Sequence, residues 1–160
     1  MKRLPRHLAA SFLYAACLLL AACGDDSCQG NGSSLPLAVF YVGDTQQTIQ
    51  QLSVMGIGVP GDSLLLSNAS ANEIYLPLRA GATATSFAFS RTLSSATFVQ
   101  DTLTVRYQPI AYFHSTECGA MYNFDIEHID CTTHGIDSVV LITPLVTNAT
   151  TPAMRIYFRQ

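Results

Sequence analysis

Charge is the scarcest property of this chain. Asp, Glu, Lys and Arg make up 12% of its 160 residues, against the ~25% of an average soluble protein, and lysine is scarce beyond the first few positions. With a net charge of −3 and a pI of about 5.7, the chain offers no basic patch of the kind that nucleic-acid binding requires. Nucleic acid is therefore excluded as an expected partner. Helical periodicity is also lacking, since no segment sustains an apolar face at 3.6-residue spacing. Catalytic signatures are missing too: there is no Gly-x-Ser-x-Gly elbow, no Walker loop, no His-Glu-x-x-His and no dinucleotide fingerprint. The expectation is a protein that is not an enzyme, has no catalytic residues and holds no cofactor.

One longer apolar run is present, Leu8 to Ala22, behind the basic start of Lys2, Arg3 and Arg6. It is short of the ~20 residues a membrane span needs and has the layout of a secretory signal peptide. It ends in Leu20-Ala21-Ala22-Cys23, which resembles the lipobox of bacterial lipoproteins. The resemblance implies that residues 1–22 are removed and that Cys23 becomes the first mature residue, joined to diacylglycerol and often acylated at its new amine. One acyl chain binds a membrane weakly, whereas two or three hold it durably. The implied location is the cell envelope, as an outer-membrane lipoprotein, with the membrane as partner through the lipid anchor.

Residues 23–34 read as a lipidated tether, polar, rich in glycine and serine and without periodicity. Its acidic pair Asp25-Asp26 resembles the export signal that sends lipoproteins of the Bacteroidota to the outer face of the outer membrane, and hence to surface exposure. The same pair also serves simply to keep a tether solvated. The remaining residues, 35–160, suit one domain with a real core.

From Leu35 onward the pattern has period two. In Tyr122 to His128, Tyr122, Phe124 and Ile126 fall on one face while Asn123, Asp125 and Glu127 fall on the other, as in a half-buried strand. Leu103 to Tyr107, Phe87 to Phe89 and Met154 to Arg159 alternate likewise. The continuous apolar runs Leu37 to Val42 and Val139 to Ile142 are expected at the centres of sheets, covered on both faces. Ile49 to Met55, Ser63 to Ser67, Glu73 to Leu78 and Ile110 to His114 complete the expected strands. Turn residues separate them, as in Gly43-Asp44, Ala80-Gly81 and His134-Gly135. About nine or ten short strands at this spacing predict an all-β fold, an antiparallel immunoglobulin-like β-sandwich first and a small barrel second.

An Asp-Ser/Thr-apolar triplet occurs three times, as Asp62-Ser63-Leu64, Asp101-Thr102-Leu103 and Asp137-Ser138-Val139. Each suits the end of a turn before a strand. Each also resembles the O-glycosylation acceptor pattern of Bacteroidota envelope proteins, which implies sugar on Ser63, Thr102 or Ser138. Of five cysteines, Cys17 leaves with the signal peptide and Cys23 carries lipid. Cys28, Cys118 and Cys131 then allow one internal disulfide in three pairings. Cys28 with Cys118 is favoured because it fixes the tether to a turn, whereas Cys118 and Cys131 bracket a strand too long for a bridge. His128, Cys131 and His134 are the residues that could ligate zinc if they met, beside Glu127, Asp130 and Asp137. Their spacing matches no zinc signature, a polar loop explains them equally, and no metal is assigned.

Phe113 to Gly119, His134 to Val139, Leu76-Pro77-Leu78 and Asp101-Thr102-Leu103 together resemble an uncharacterised family of Bacteroidota lipoproteins, a domain of unknown function. The resemblance covers roughly Ser34 to Phe158, and Cys131 falls outside its pattern. It implies a small lipid-anchored β domain with no established activity. Two function classes follow. One is a surface-exposed binding module whose strand faces, or loops such as Ala80 to Thr85 and Leu93 to Thr97, meet a glycan or protein ligand. The other is a structural or accessory envelope lipoprotein that supports a neighbouring complex.

Overall fold

Alternating apolar residues become strands throughout the part of the chain that the computed structural model describes, residues 34–58, 63–93, 97–116 and 118–159. These belong to the second of two units, Met1–Asn31 and Gly32–Gln160. The expected signal helix, Cys23 and Cys28 lie outside the described residues, as do Asp62 and Glu117. Ser34, read above as the last tether residue, is buried and donates a hydrogen bond to Asn123 Oδ1 at 2.8 Å.

Eleven strands form among the described residues. They are β1 (Leu37–Val42), β2 (Thr45–Gln46), β3 (Ile49–Ile57), β4 (Leu64–Ala71), β5 (Glu73–Tyr75) and β6 (Ala84–Thr92), then β7 (Phe98–Ser115), β8 (Gly119–Cys131), β9 (Ile136–Leu141), β10 (Leu145–Val146) and β11 (Pro152–Phe158). One sheet runs β2-β1-β11-β9, with β5 also on β1, and the other runs β10-β8-β7-β6-β3-β4. No strand pairing joins the two sheets among the described residues, so the architecture is a sandwich rather than a closed barrel. Phe40 of β1 crosses the interior to meet Phe89 of β6 edge-on, with ring centres 6.5 Å apart. Leu52, Phe87 and Leu103 of one sheet bury against the same core as Phe40, Met154 and Ile156 of the other.

Three expectations need correction. The sandwich is not wholly antiparallel, because β1 and β11 pair in parallel. These are the first and last strands, so no short hairpin has to join them. The run Val139 to Ile142 is not central: β9 ends its sheet, and Val140 and Ile142 are exposed. Leu103 to Tyr107 and Ile110 to His114 are one strand, the 18-residue β7, which passes straight through Pro109. Proline is tolerated there because β6 has ended. Its last partner, Ala84, lies opposite Arg106, and the Tyr107 N–H bonds to Thr83 just beyond. Two residues further along, the Pro109 nitrogen faces the same, now open, side.

Tyr107 shows how β7 organises one end of the sandwich. Its side chain is fully buried, and its ring meets Phe124 edge-on at 5.3 Å. The hydroxyl accepts from the Arg79 N–H at 2.9 Å and donates to the Arg79 carbonyl at 2.9 Å. Its one proton being used, the 2.7 Å bond to buried Thr85 Oγ1 must have threonine as donor. The loop expected to be free for ligand contact, Ala80 to Thr85, is thus held from beneath. Tyr107→Phe keeps the ring but strands these groups, and is expected to lower stability by ~1–3 kcal/mol, measured by urea denaturation.

Candidate functional site

A strand that alternates Asp101, Leu103, Val105 and Tyr107 on one side points a carboxylate into the core. Asp101 is 2% exposed. Its Oδ2 accepts the N–H groups of Gly135 and Ile136 at 2.7 and 2.8 Å, and its Oδ1 accepts the His134 N–H at 2.6 Å and the Thr132 hydroxyl at 2.9 Å. Thr132 in turn accepts the Thr102 N–H through its hydroxyl and donates its own N–H to the Thr102 carbonyl. One side chain therefore collects most of the donors of the β8–β9 connection, 30 or more residues away. Burial pushes the Asp101 carboxyl up, but the His134, Gly135 and Ile136 N–H groups and the Thr132 hydroxyl outweigh it and hold the group below the ordinary carboxylate range.

Arg91 supports the same corner. Its Cζ lies 5.3 Å from the centre of the Phe158 ring, and its Nη2 donates to the Arg159 carbonyl. Burial lowers its pKa from the ordinary arginine value and the charge of Asp101 opposes that shift. Gly135 is required by close approach: a Cβ there would sit 2.8 Å from Val99 Cγ2 and 3.4 Å from Asp101 Oδ2.

The three zinc candidates, to which no metal is assigned above, do not converge. Two residues of β8 oppose one step of β7 between Arg106 and Tyr107, so Glu127 is bulged out, and His128 and Asp130 then face solvent while Cys131 turns inward. His128 bonds Asp130 Oδ1 at 3.0 Å, beside Arg106 at 3.1 Å from Oδ2. Arg106 first, and His128 after it, hold Asp130 below its usual carboxylate range. His134 instead places Nδ1 3.1 Å from Asp101 Oδ1. Cys131 is a free thiol that donates to the Thr132 carbonyl. Burial, and then the charge of Asp101, push it up to about 11, which disfavours the thiolate that a metal or an electrophile would need. Among the described residues no group of three His, Cys, Asp or Glu side chains could hold a metal ion. The Asp101–His134 pair resembles the orienting half of a catalytic triad, but its carboxylate is spent on backbone donors. It holds a loop.

Of the O-glycosylation candidates, Ser63 and Ser138 are exposed, whereas Thr102 is half-buried inside β7 rather than at a strand entrance. Asp137 makes a 3.6 Å ion pair with Arg159.

Two surface features stand out among the described residues. On the outer face of the six-stranded sheet, Met55 pairs with Leu64 across β3 and β4, and Ile57 lies two residues along; all three are exposed. Next to them the Ser86 and Thr104 hydroxyls bond each other at 2.8 Å, and the Arg106–Asp130–His128 group closes the far side. The second surface is an open groove of about 280 Å³ lined by Ser34, Leu35, Leu78, Ala80, Met121 and Tyr122, among others. Sequence reasoning named strand faces and the Ala80 to Thr85 loop in general terms, and Ala80 does line the groove, but it did not single out Met55, Ile57 and Leu64. Asp101 could have been found from its position on the apolar side of an alternating strand.

A family model described as a family of unknown function (DUF6452) matches residues 51–158. No curated protein matches the chain, and no solved structure does.

Asp101→Ala leaves three backbone N–H groups without their acceptor and is expected to cost ~3 kcal/mol or more. Asp101→Asn is expected to rescue little, since its NH2 meets a donor in either orientation. Because the folded carboxyl lies below its ordinary value of ~3.9, its contribution is present above about pH 4 and is lost as pH falls through the folded value. Urea midpoints across pH 2–6 should therefore fall more steeply for the wild type than for Asp101→Ala. Gly135→Ala is expected to cost ~1–3 kcal/mol by overpacking, and Val99→Ala should recover most of that loss when the two are combined, read by thermal denaturation.

Proposed function

Because the chain belongs to the DUF6452 family of unknown function, matched from within β3 to the end of β11, its role has to be argued from its own residues, and we propose that it is a lipid-anchored binding module of the bacterial cell envelope. In this reading residues 1–22 are a lipoprotein signal peptide, Cys23 carries the lipid at the outer membrane of a member of the Bacteroidota, and the domain is exposed at the surface. A Cys28–Cys118 bridge ties the tether to the domain. Support for that pairing comes from Cys118 being disulfide-bonded and Cys131 free, with Cys17 removed and Cys23 acylated.

The observation that carries the binding role is the exposed row of Leu64, Met55 and Ile57. Three large apolar side chains lie side by side on a face bordered by hydroxyls and an ion-pair group, the composition of a protein-contact patch rather than of a solvated strand face. A protein ligand fits this row better than a glycan. The accessory-lipoprotein reading is favoured by β9, which ends its sheet among the described residues, has Asp137 as its only charged residue and suits strand addition by a neighbouring protein. Ser63 and Ser138 are the better exposed glycan acceptors, and an intact mass above lipid plus polypeptide from the native host would register such sugar.

Cys23→Ser is expected to release the protein from the membrane fraction, and proteinase K added to intact cells should remove the wild-type domain. Protection until the membrane is broken would favour the accessory role. Met55→Glu with Leu64→Glu should leave the circular dichroism spectrum unchanged and abolish partner capture from native membranes.

A further inference from the structure

Beyond Ala84, β6 no longer accompanies β7, and β7 and β8 continue as a two-stranded ribbon. From Ile110 with Asn123 to Phe113 with Ala120, among the described residues, they pair only with each other. Alternation of apolar and polar residues lapses in this ribbon. Register places Phe113 and Tyr122 on one face and Ile110, Tyr112 and Met121 on the other. Phe113 is 69% exposed, and Ile110 and Tyr122 are exposed too. Between Tyr107 and Phe124 the sequence holds one formal charge, Glu117. The ion pairs Arg106–Asp130, His134–Asp101 and Arg159–Asp137 all lie outside that stretch. A ribbon that is apolar on both faces and nearly free of charge is not organised to face water. Tyrosine beside aliphatic and phenylalanine side chains is the mixture that suits a membrane–water boundary, where one end of a ring is apolar and the other wet.

The chain leading to this ribbon identifies its occupant. Ser34 bonds Asn123 and shares the groove with Ala120, Met121 and Tyr122, so the tether joins the domain at the ribbon. Phe113 is three residues from the Ile110–Asn123 pair, ~10 Å along the strand. Eleven steps of chain separate Cys23 from Ser34, a span of at most ~40 Å when fully extended. A Cys28–Cys118 bridge leaves five steps, at most ~18 Å, between the acylated residue and Cys28, and the bridge adds ~6 Å to the position next to Gly119 at the start of β8.

We propose that the β7–β8 ribbon is a membrane-docking element in which Phe113, Ile110 and Tyr122, just behind the Ser115–Gly119 pair that closes the hairpin, lie in the lipid interface and hold the sandwich upright above the bilayer. This rests on the lipid-anchored reading above and adds an orientation to it. The opposite end of β7, where Phe98 is 64% exposed, is ~50 Å away along the strand and stays in water.

The chain has no tryptophan, so single substitutions give unambiguous reporters. The full-length acylated protein is reconstituted in vesicles of phosphatidylethanolamine and phosphatidylglycerol, checked by flotation, and carried as Phe113→Trp, Tyr122→Trp or Phe98→Trp. The expected result is blue-shifted emission with quenching by shallow brominated lipid for the first two, and neither change for Phe98→Trp. Protein that fails to float overturns the lipid anchor and the docking with it. Protein that floats with no quenching at positions 113 and 122 leaves the anchor standing and overturns the docking. Equal quenching at 98 and 113 overturns the upright orientation.

Discussion

A carboxylate in the interior of a β-sandwich would be costly if its lone pairs were left unfilled, and at Asp101 they are filled by the backbone of a loop that must cross between the sheets. β8 belongs to the six-stranded sheet and β9 to the other, so the connection between them has to turn over the end of the core. Three consecutive N–H groups of that connection aim at Asp101. Six residues along the same face of β7, Tyr107 does the equivalent for the connection from β5 to β6, through both backbone groups of Arg79. A single long strand thus secures two of the crossings that keep the sheets facing one another. Hydrophobic burial supplies the bulk attraction, but it is non-directional. The two polar side chains set where the chain turns.

Much of the architecture is legible in period-two patterning. β1 coincides with the expected run Leu37 to Val42, and Phe124 and Ile126 are buried on the predicted face of β8. Errors arise where a local rule meets a non-local neighbour. Leu103 to Tyr107 and Ile110 to His114 read as two strands, yet they form one, and Pro109 between them is accommodated because β6 has already ended on its side. Val139 to Ile142 is apolar enough for a central strand, yet sheet order is decided by which strand β11 accepts, and β9 lies at the margin with part of its apolar surface outward.

The chemistry is less legible than the fold for the same reason. His128, Cys131 and His134 look like a cluster because they are close in sequence. A bulge at Glu127 and the alternation of the strand then send the thiol inward and the imidazole of His128 outward. Asp101 looks like a turn residue because Asp-Thr is a turn dipeptide, while its partners at 132 to 136 are too far along the chain to be seen locally. The one available clue is its parity with Leu103, Val105 and Tyr107. Charge placement could be read directly, since the long uncharged stretch around Phe113 is visible in the sequence, but that it forms an unaccompanied ribbon depends on the length of β6.

Asp101 recognises its loop through main-chain atoms, apart from the Thr132 hydroxyl and the His134 ring, and this bears on how the connection can change without loss of the fold. Side chains at positions such as Thr133 are uncommitted to the clasp, so substitutions there leave it intact. Length is another matter. Adding or removing one residue shifts the register of three amides against a carboxylate fixed in β7, breaking several bonds together, with Val99 leaving little room for a new path past position 135. The connection is tolerant of different residues and intolerant of a different number of them.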